Sequence, residues 1–435
     1  MKIIKYPERH DWHEIVERPI VATEKVFSLV LPVIQEVKEQ GDKALLRLTE
    51  EVDKVKLSSI EVSESEIAQS GNDVPLQLKQ AIEMARRNIW KFHLAQMPNT
   101  VEVETSPEVF CTQKSIAIEK VGLYVPGGSA PSFSAVLMLA IPAQIAECKE
   151  IILCTPPDEQ GKIHPAILYA AKISGVKRVF KIGGAQAIAA MAYGTESVPK
   201  VYKIFGQGNH LINAAKQLVY LQGTAIDLPS GFSGLEVLAD KTAHPEFVAA
   251  DLLAQCEQCA DNQVILLTTD EDIITPVLEQ IEMQIEKLPQ KEIARKSLEN
   301  SKIIVVKTIE QAVEFTNLYA PEHLIIATQY YKGVAEGIVN AGSAYLGNYS
   351  PISAGYYVSG TNHFLPADSL SKAYSGVNID SFFRKLTFQH LTRAGLSNIA
   401  NAAMLMAETE GFAARCNAVK VRIDEEIIKP EIERR

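Results

Sequence analysis

The chain has 435 residues, with 43 Lys and Arg against 53 Asp and Glu, and a net charge of −10. Its 47% apolar and 22% charged residues exclude wholesale disorder, and its 24 Gly and 21 Pro exclude collagen-like and low-complexity chains. An acidic balance without a Lys/Arg cluster argues against nucleic acid and against an anionic membrane surface as partners.

The first residues, MKIIKYPERHDWHEI, lack the apolar core of a signal peptide. The longest apolar stretch, AVLMLAIPAQIA from Ala135, is too short to cross a bilayer and carries a Pro and a Gln. Six cysteines are too few for a disulfide scaffold in a chain of this size. Cys256-x-x-Cys259 stands without a second such pair or a histidine pair, so both read as ordinary thiols. A cytoplasmic protein is expected.

After an amphipathic, helical N-terminal stretch, short apolar runs of strand type begin near Val121, Glu150, Arg178, Val201 and Thr224. Segments of helical period separate them, among them SFSAVLMLAIPAQIAEC and AQAIAAMAYG. Strand then helix, repeating at about 25 residues, predicts βαβ units and a parallel sheet. A second block has strand candidates at Gln263, Lys302, His323 and Ser343, with charged amphipathic helices between them. The tail after Ser371 reads as mostly helical.

Ligands of open parallel sheets bind at the carboxyl ends of strands, so the loops there carry the functional interest. Three of them hold glycines: 125–128 (VPGG), Gly183-Gly184, and Gly206-x-Gly208 before Asn209. None completes the dinucleotide fingerprint GxGxxG, because position 211 is Leu. Tight strand-to-helix turns account for these glycines equally well.

Taken together, GLYVPGGSAP, KIGGAQAIAAMAYGT, VYKIFGQGNHLINAAKQLV, DLLAQCEQ, YAPEHLIIAT and SAGYYVSGTNHFLP run in an order that resembles the histidinol dehydrogenase family. The resemblance extends from near residue 10 to near residue 423. It implies an α/β fold of two Rossmann-like parallel-sheet domains, aldehyde-dehydrogenase-like in architecture, with a helical C-terminal arm. The implied boundaries are an N-terminal segment at 1–20, a first α/β domain at 21–119 plus 234–370, a second at 120–233 carrying the cofactor loops, and a dimerisation arm at 371–435. It further implies NAD as cofactor, a small alcohol as substrate, and a homodimer with shared active sites.

Residue by residue, the resemblance puts Tyr124, Gln186 and Asn209 against the cofactor. It makes Glu322 and His323 the catalytic pair. His323 would take the alcohol proton, and Glu322 would activate the water that attacks the aldehyde. A histidine titrating near neutrality and a partly desolvated carboxylate suit those tasks. Ser233, Gln255, His363 and Glu410 fall on positions lining the substrate pocket.

The family's zinc positions are where this chain departs. Gln255 is kept, but Gln258, Tyr356 and Arg415 stand where the family has His, Asp and His. Two amides, a phenol and a guanidinium make a poor zinc set, since zinc takes thiolate, imidazole or carboxylate. No metal ligand is therefore assigned, and Gln258, Tyr356 and Arg415 are placed with the substrate contacts. The acid following Ser233 is also lost, to Gly234. From these changes the sequence leads to an NAD-dependent dehydrogenase working without zinc on an altered small amino alcohol, taken through the aldehyde toward the acid. A non-catalytic ligand-binding relative and a true histidinol dehydrogenase of histidine biosynthesis are the alternatives.

Overall fold

In the computed structural model, residues 1–18, 23–127, 131–228 and 233–424 are described. The chain opens on a short strand, β1 (Lys2–Lys5), and after a run of helices forms a hairpin of β2 (Val101–Ser106) and β3 (Val109–Ala117). Five strands follow in βα repeats: β4 (Lys120–Tyr124), β5 (Glu150–Thr155), β6 (Arg178–Lys181), β7 (Lys203–Phe205) and β8 (Ala225–Ile226). The second block supplies β9 (Gly234–Ala239), β10 (Gln263–Thr268), β11 (Lys302–Val305), β12 (His323–Ala327) and β13 (Ser343–Leu346). The last strand is β14 (Phe383–Leu391).

β4 to β8 make a parallel sheet in the order β6-β5-β4-β7-β8. β9 to β13 make a second parallel sheet, with β1 added at its edge, in the order β1-β11-β10-β9-β12-β13. Counted by appearance, both blocks run 3-2-1-4-5, the arrangement of Rossmann-like sheets, so the expected pair of such sheets is present. In each, the chain reverses direction across the sheet between its first and fourth strands. Those switch points lie between β4 and β7 and between β9 and β12.

The strands are apolar runs because both faces are covered. Val121, Leu123, Ile152, Leu153, Ile204 and Phe205 are all buried. One face of the first sheet is covered by the helices Gly184–Tyr193 and His210–Leu221, and the helix Thr23–Gln40 packs on these two, its Val30, Ile34 and Val37 sharing one core with Ile188, Ala192 and Val219. The helix Phe133–Ile145 (FSAVLMLAIPAQI) has no polar face and is buried along nearly its whole length, packing against the helix Leu76–Leu94. The second sheet has its own core of Val237, Leu252, Val264, Val277 and Ile303.

Residues 1–96 and 118–382 form one unit, which holds both parallel sheets, and 97–117 with 383–435 form another. In the smaller unit, β14 pairs antiparallel with β3 over its full length, and β2 completes a three-stranded sheet. The stretch read as helical after Ser371 thus contains a strand before the helices Arg393–Thr409 and Ala413–Ile423. FRKLTFQHL is mostly exposed and lacks the buried apolar run that marks the parallel strands. Among the described residues no helix is long and apolar enough to cross a membrane.

Candidate active site

The switch point of the first sheet sets the cofactor loops. Tyr124 ends β4 and is buried, and its hydroxyl accepts from the Gly184 N–H at 3.3 Å. Burial raises the Tyr124 phenol well above its ordinary pKa, so it stays protonated. Gln186 is buried in the first turn of the helix Gly184–Tyr193, and its Nε2 has no partner. A buried donor left unpaired costs free energy unless a ligand meets it. Asn209 is exposed and caps the helix His210–Leu221, its Oδ1 accepting from Leu211 and Ile212 at 3.1 and 3.2 Å.

Two glycines shape the crevice between these loops. A Cβ at Gly206, which has φ of +135°, would overlap the Tyr124 carbonyl, and one at Gly127 would overlap Pro156. Backbone pressed this closely, next to an unpaired amide donor, is a cradle that suits a dinucleotide. Of the loop 125–128, Gly128 lies outside the described residues.

The catalytic candidates sit at the opposite strand ends of the second sheet. The helix Ile309–Tyr319 stops because Ala320 turns left-handed, φ +51° and ψ +67°, and Pro321 cannot continue it. The last two carbonyls freed by that stop are bonded. Arg18 donates to Tyr319 O and Ala320 O at 3.3 Å each, Ser369 donates to Tyr319 O at 2.7 Å and Ser371 to Ala320 O at 3.1 Å. This turn delivers Glu322 and His323 to the start of β12, 3% and 2% exposed.

Glu322 Oε1 lies 3.9 Å from His323 Nε2. Gln255, in the helix Pro245–Cys256, donates through Nε2 to Ser233 Oγ at 2.6 Å, and Ser233 in turn hydrogen-bonds the Glu322 carboxyl. Burial pushes Glu322 up to about 7, although the bonds from Ser233 and Gly234 and the charge of Arg18 oppose the shift. Burial, reinforced by the nearby His363, pushes His323 down to about 3. Glu322 Oε2 and Gln255 Oε1 are buried acceptors with no partner, both available to a ligand.

His363 donates from Nδ1 to Tyr356 O at 2.9 Å, and its ring stacks on Tyr356 with centroids 4.0 Å apart and planes 7° apart. Both rings line a cleft of about 780 Å³, together with Gln258, Gln207, Phe133 and Gly127. The cleft therefore joins the cofactor loops to the aromatic wall. Glu410 and Arg415 belong to the smaller unit, where Arg415 Nη1 lies 3.8 Å from Glu410 Oε2 and both are exposed.

The residues at the family's zinc positions do not fit that ion. Gln255 has turned its amide nitrogen to Ser233, Gln258 is exposed, and Arg415 carries a fixed positive charge. Tyr356 offers a phenol, where zinc takes thiolate, imidazole or carboxylate, and burial raises its pKa. Cys256 is buried and Cys259 exposed, and both are free thiols.

Several residues of the site have no marker in the sequence. Tyr345 contacts His323 through a hydroxyl on β13. Arg18 lies against Tyr319, its guanidinium 4.5 Å from the ring centroid. Glu236 is buried in β9, where the Thr316 hydroxyl donates to it. Only a charged residue inside an apolar strand, as in GLEVLA, hinted at Glu236.

A family model described as histidinol dehydrogenase matches residues 16–423. Histidinol dehydrogenase of Bacteroides fragilis (strain YCH46) is 56% identical, over 98% of this chain and 99% of its own length. That of Campylobacter jejuni subsp. jejuni serotype O:2 is 44% identical, over 98% and 99%. The crystal structure of histidinol dehydrogenase from Elizabethkingia anophelis has a TM-score of 0.95 and 49% identity, covering 97% of this chain and 98% of that one.

These likenesses overturn the expectation of an altered substrate. Relatives at 44% to 56% identity, matched from end to end, carry the name of the histidinol enzyme itself. The changes at Gly234, Gln258, Tyr356 and Arg415 leave the buried pair, the Ser233–Gln255 chain and the cofactor crevice in place.

Proposed function

Because the chain belongs to the histidinol dehydrogenase family, a family of NAD-dependent oxidoreductases, we propose that it oxidises histidinol through the aldehyde to the acid with NAD. The observation that carries this reading is the buried pair at the start of β12, one member neutral and one titrating near pH 7. Bound NAD would supply the hydride acceptor, held by Tyr124, Gln186 and Asn209 at the β4–β7 switch point.

His323 is the base of the first oxidation. Nδ1 lies 3.1 Å from the Tyr345 hydroxyl, and in the tautomer that carries its proton on Nδ1, Nε2 keeps a lone pair for the alcohol proton. Glu322 is the base of the second, taking a proton from water at Oε2, the oxygen without a partner. Ser233 and Gln255 orient that carboxyl. The stacked rings of Tyr356 and His363 offer a flat wall against which an imidazole can lie.

The reading includes a homodimer. Leu405 and Met406 are exposed on the helix Arg393–Thr409 and Phe412 just before the helix Ala413–Ile423, and a second copy would cover them. Sedimentation should give twice the 47.8 kDa chain mass. The test of the activity is NADH formation from histidinol, at two NADH per histidinol consumed. A pure, folded protein that forms none from histidinol or from its aldehyde refutes it.

A further inference from the structure

The crevice at the β4–β7 switch point rests on a buried ion pair that neither the catalytic pair nor the substrate wall uses. Lys216, in the helix His210–Leu221, and Asp227, just past β8, are 1% and 0% exposed at their side chains and paired with each other. Each also grips backbone. Lys216 Nζ donates to Gly206 O at 2.7 Å and to Leu228 O at 3.3 Å. Asp227 accepts from the Gly206 N–H at 2.9 Å and from the Leu228 N–H at 2.7 Å. All three ammonium hydrogens thus have acceptors, and both backbone groups of Gly206 are held by opposite charges.

Taking two charges out of water is costly, and the cost is offset only where geometry is good and the remaining hydrogen-bonding groups are satisfied. An apolar pair of similar volume would stabilise the helix contact as well. What an apolar pair cannot do is hold both backbone groups of one glycine. Gly206 is the residue pressed against the Tyr124 carbonyl, and three positions on the chain reaches Asn209, the cap of the helix that carries Lys216. The pair therefore ties the loop after β7, the loop after β8 and the start of that helix to one another.

We infer that Lys216 and Asp227 are positioning residues for NAD, holding the loop from Gly206 to Asn209 in the shape that admits the cofactor. The inference rests on the function proposed above. Neither residue touches the cofactor; they act through the Gly206 backbone.

The paired replacement Lys216→Met with Asp227→Leu removes both charges and leaves no unpaired ion. In the full-length protein it should raise the KM and the calorimetric Kd for NAD by tenfold or more, while kcat stays within about threefold and the variant still unfolds in a single cooperative transition, at a somewhat lower midpoint because the Gly206 and Leu228 backbone groups lose their partners. Asp227→Asn keeps the shape but leaves the buried Lys216 ammonium without its carboxylate, so it should weaken NAD binding in the same direction and, unlike the paired replacement, lower the unfolding midpoint markedly. In the unmodified protein, the Gly206 amide should resist hydrogen exchange before NAD is added. An unchanged Kd for NAD in either folded variant, or rapid exchange at Gly206, overturns the inference. Failure of the parent itself to bind NAD instead refutes the proposed function.

Discussion

The Tyr345 hydroxyl lies 3.1 Å from Nδ1 of His323, reaching it from the neighbouring strand. In the parallel pairing of β12 and β13, His323 stands opposite Ser343 and Ile325 opposite Tyr345, so Tyr345 shares the face of His323 two residues along. Burial holds Tyr345 up at about 12 and His323 down at about 3, and both are neutral at pH 7. The contact is a hydrogen bond between uncharged partners, and its role is to fix the ring orientation.

His323→Ala should lower kcat for the alcohol by about two to four orders of magnitude, the usual range for a general base. Tyr345→Phe keeps the ring and removes the hydroxyl, so a loss of about tenfold is expected, the kinetic equivalent of one hydrogen bond. Steady-state rates of NADH formation separate the two. Parent-like rates in His323→Ala would remove this histidine from the mechanism.

The two oxidations should respond differently to pH. Glu322 must be ionised to accept a proton from water, and its pKa is pushed up to about 7. Oxidation of the aldehyde, supplied directly, should therefore rise with pH through about 7. His323 is deprotonated everywhere above its lowered pKa, so proton removal from the alcohol should be flat from about pH 5 to 9. Glu322→Gln should slow the aldehyde step more than the alcohol step. Equal losses in both steps, or an aldehyde profile without a bend near pH 7, would contradict the assignment of Glu322.

How much of this was legible in the sequence depended on burial. The parallel strands could be read because EIILCT, QVILLT and KIIV are apolar runs covered on both faces. β9 escaped because Glu236 interrupts its run, and β14 because its side chains are mostly exposed. The shared 3-2-1-4-5 order came only with the structure, since strand adjacency leaves no mark in composition. Glu322 and His323 would have passed for an ordinary strand entry without the family resemblance. Lys216 was hidden for a physical reason: within INAAKQLV it looks like a solvated lysine, and its partner Asp227 is brought to it only by the β7–β8 pairing.

Chelation should leave the protein unaffected. A resident zinc ion contributes folding free energy, so stripping it lowers the unfolding midpoint. Gln258, Tyr356 and Arg415 provide neither imidazole, carboxylate nor thiolate. Incubation with a strong chelator should shift neither the midpoint nor the rate of NADH formation, and elemental analysis should find well under one zinc per chain. A full equivalent of zinc whose removal lowers the midpoint would show that other donors hold it.

The last expectation concerns stability and follows from Glu236. This carboxyl stands in the middle of β9 with Oε1 bonded by the Thr316 hydroxyl and Oε2 without a partner. Burial pushes its pKa up to about 8, and the Thr316 bond and the Arg18 charge only moderate that shift. In the unfolded chain an ordinary glutamate titrates near 4.5. Between those values the folded state holds a proton that the unfolded state has released, so stability must fall as pH rises. The contribution is fully present below about 4.5 and is lost as pH climbs through about 8. Glu236→Gln cannot ionise, yet its amide oxygen still accepts from Thr316. The variant should match the parent near pH 4 and exceed it by at least about 1 kcal/mol near pH 8, where the parent has begun to ionise a carboxyl in an apolar strand. Glu322 adds a slope of the same sign and is present in both proteins, so the difference between them isolates position 236. Urea unfolding of the two proteins at several pH values from 4 to 9 measures that difference directly. Parallel curves across the whole range would mean that Glu236 stays ionised in the fold, its charge balanced by Arg18.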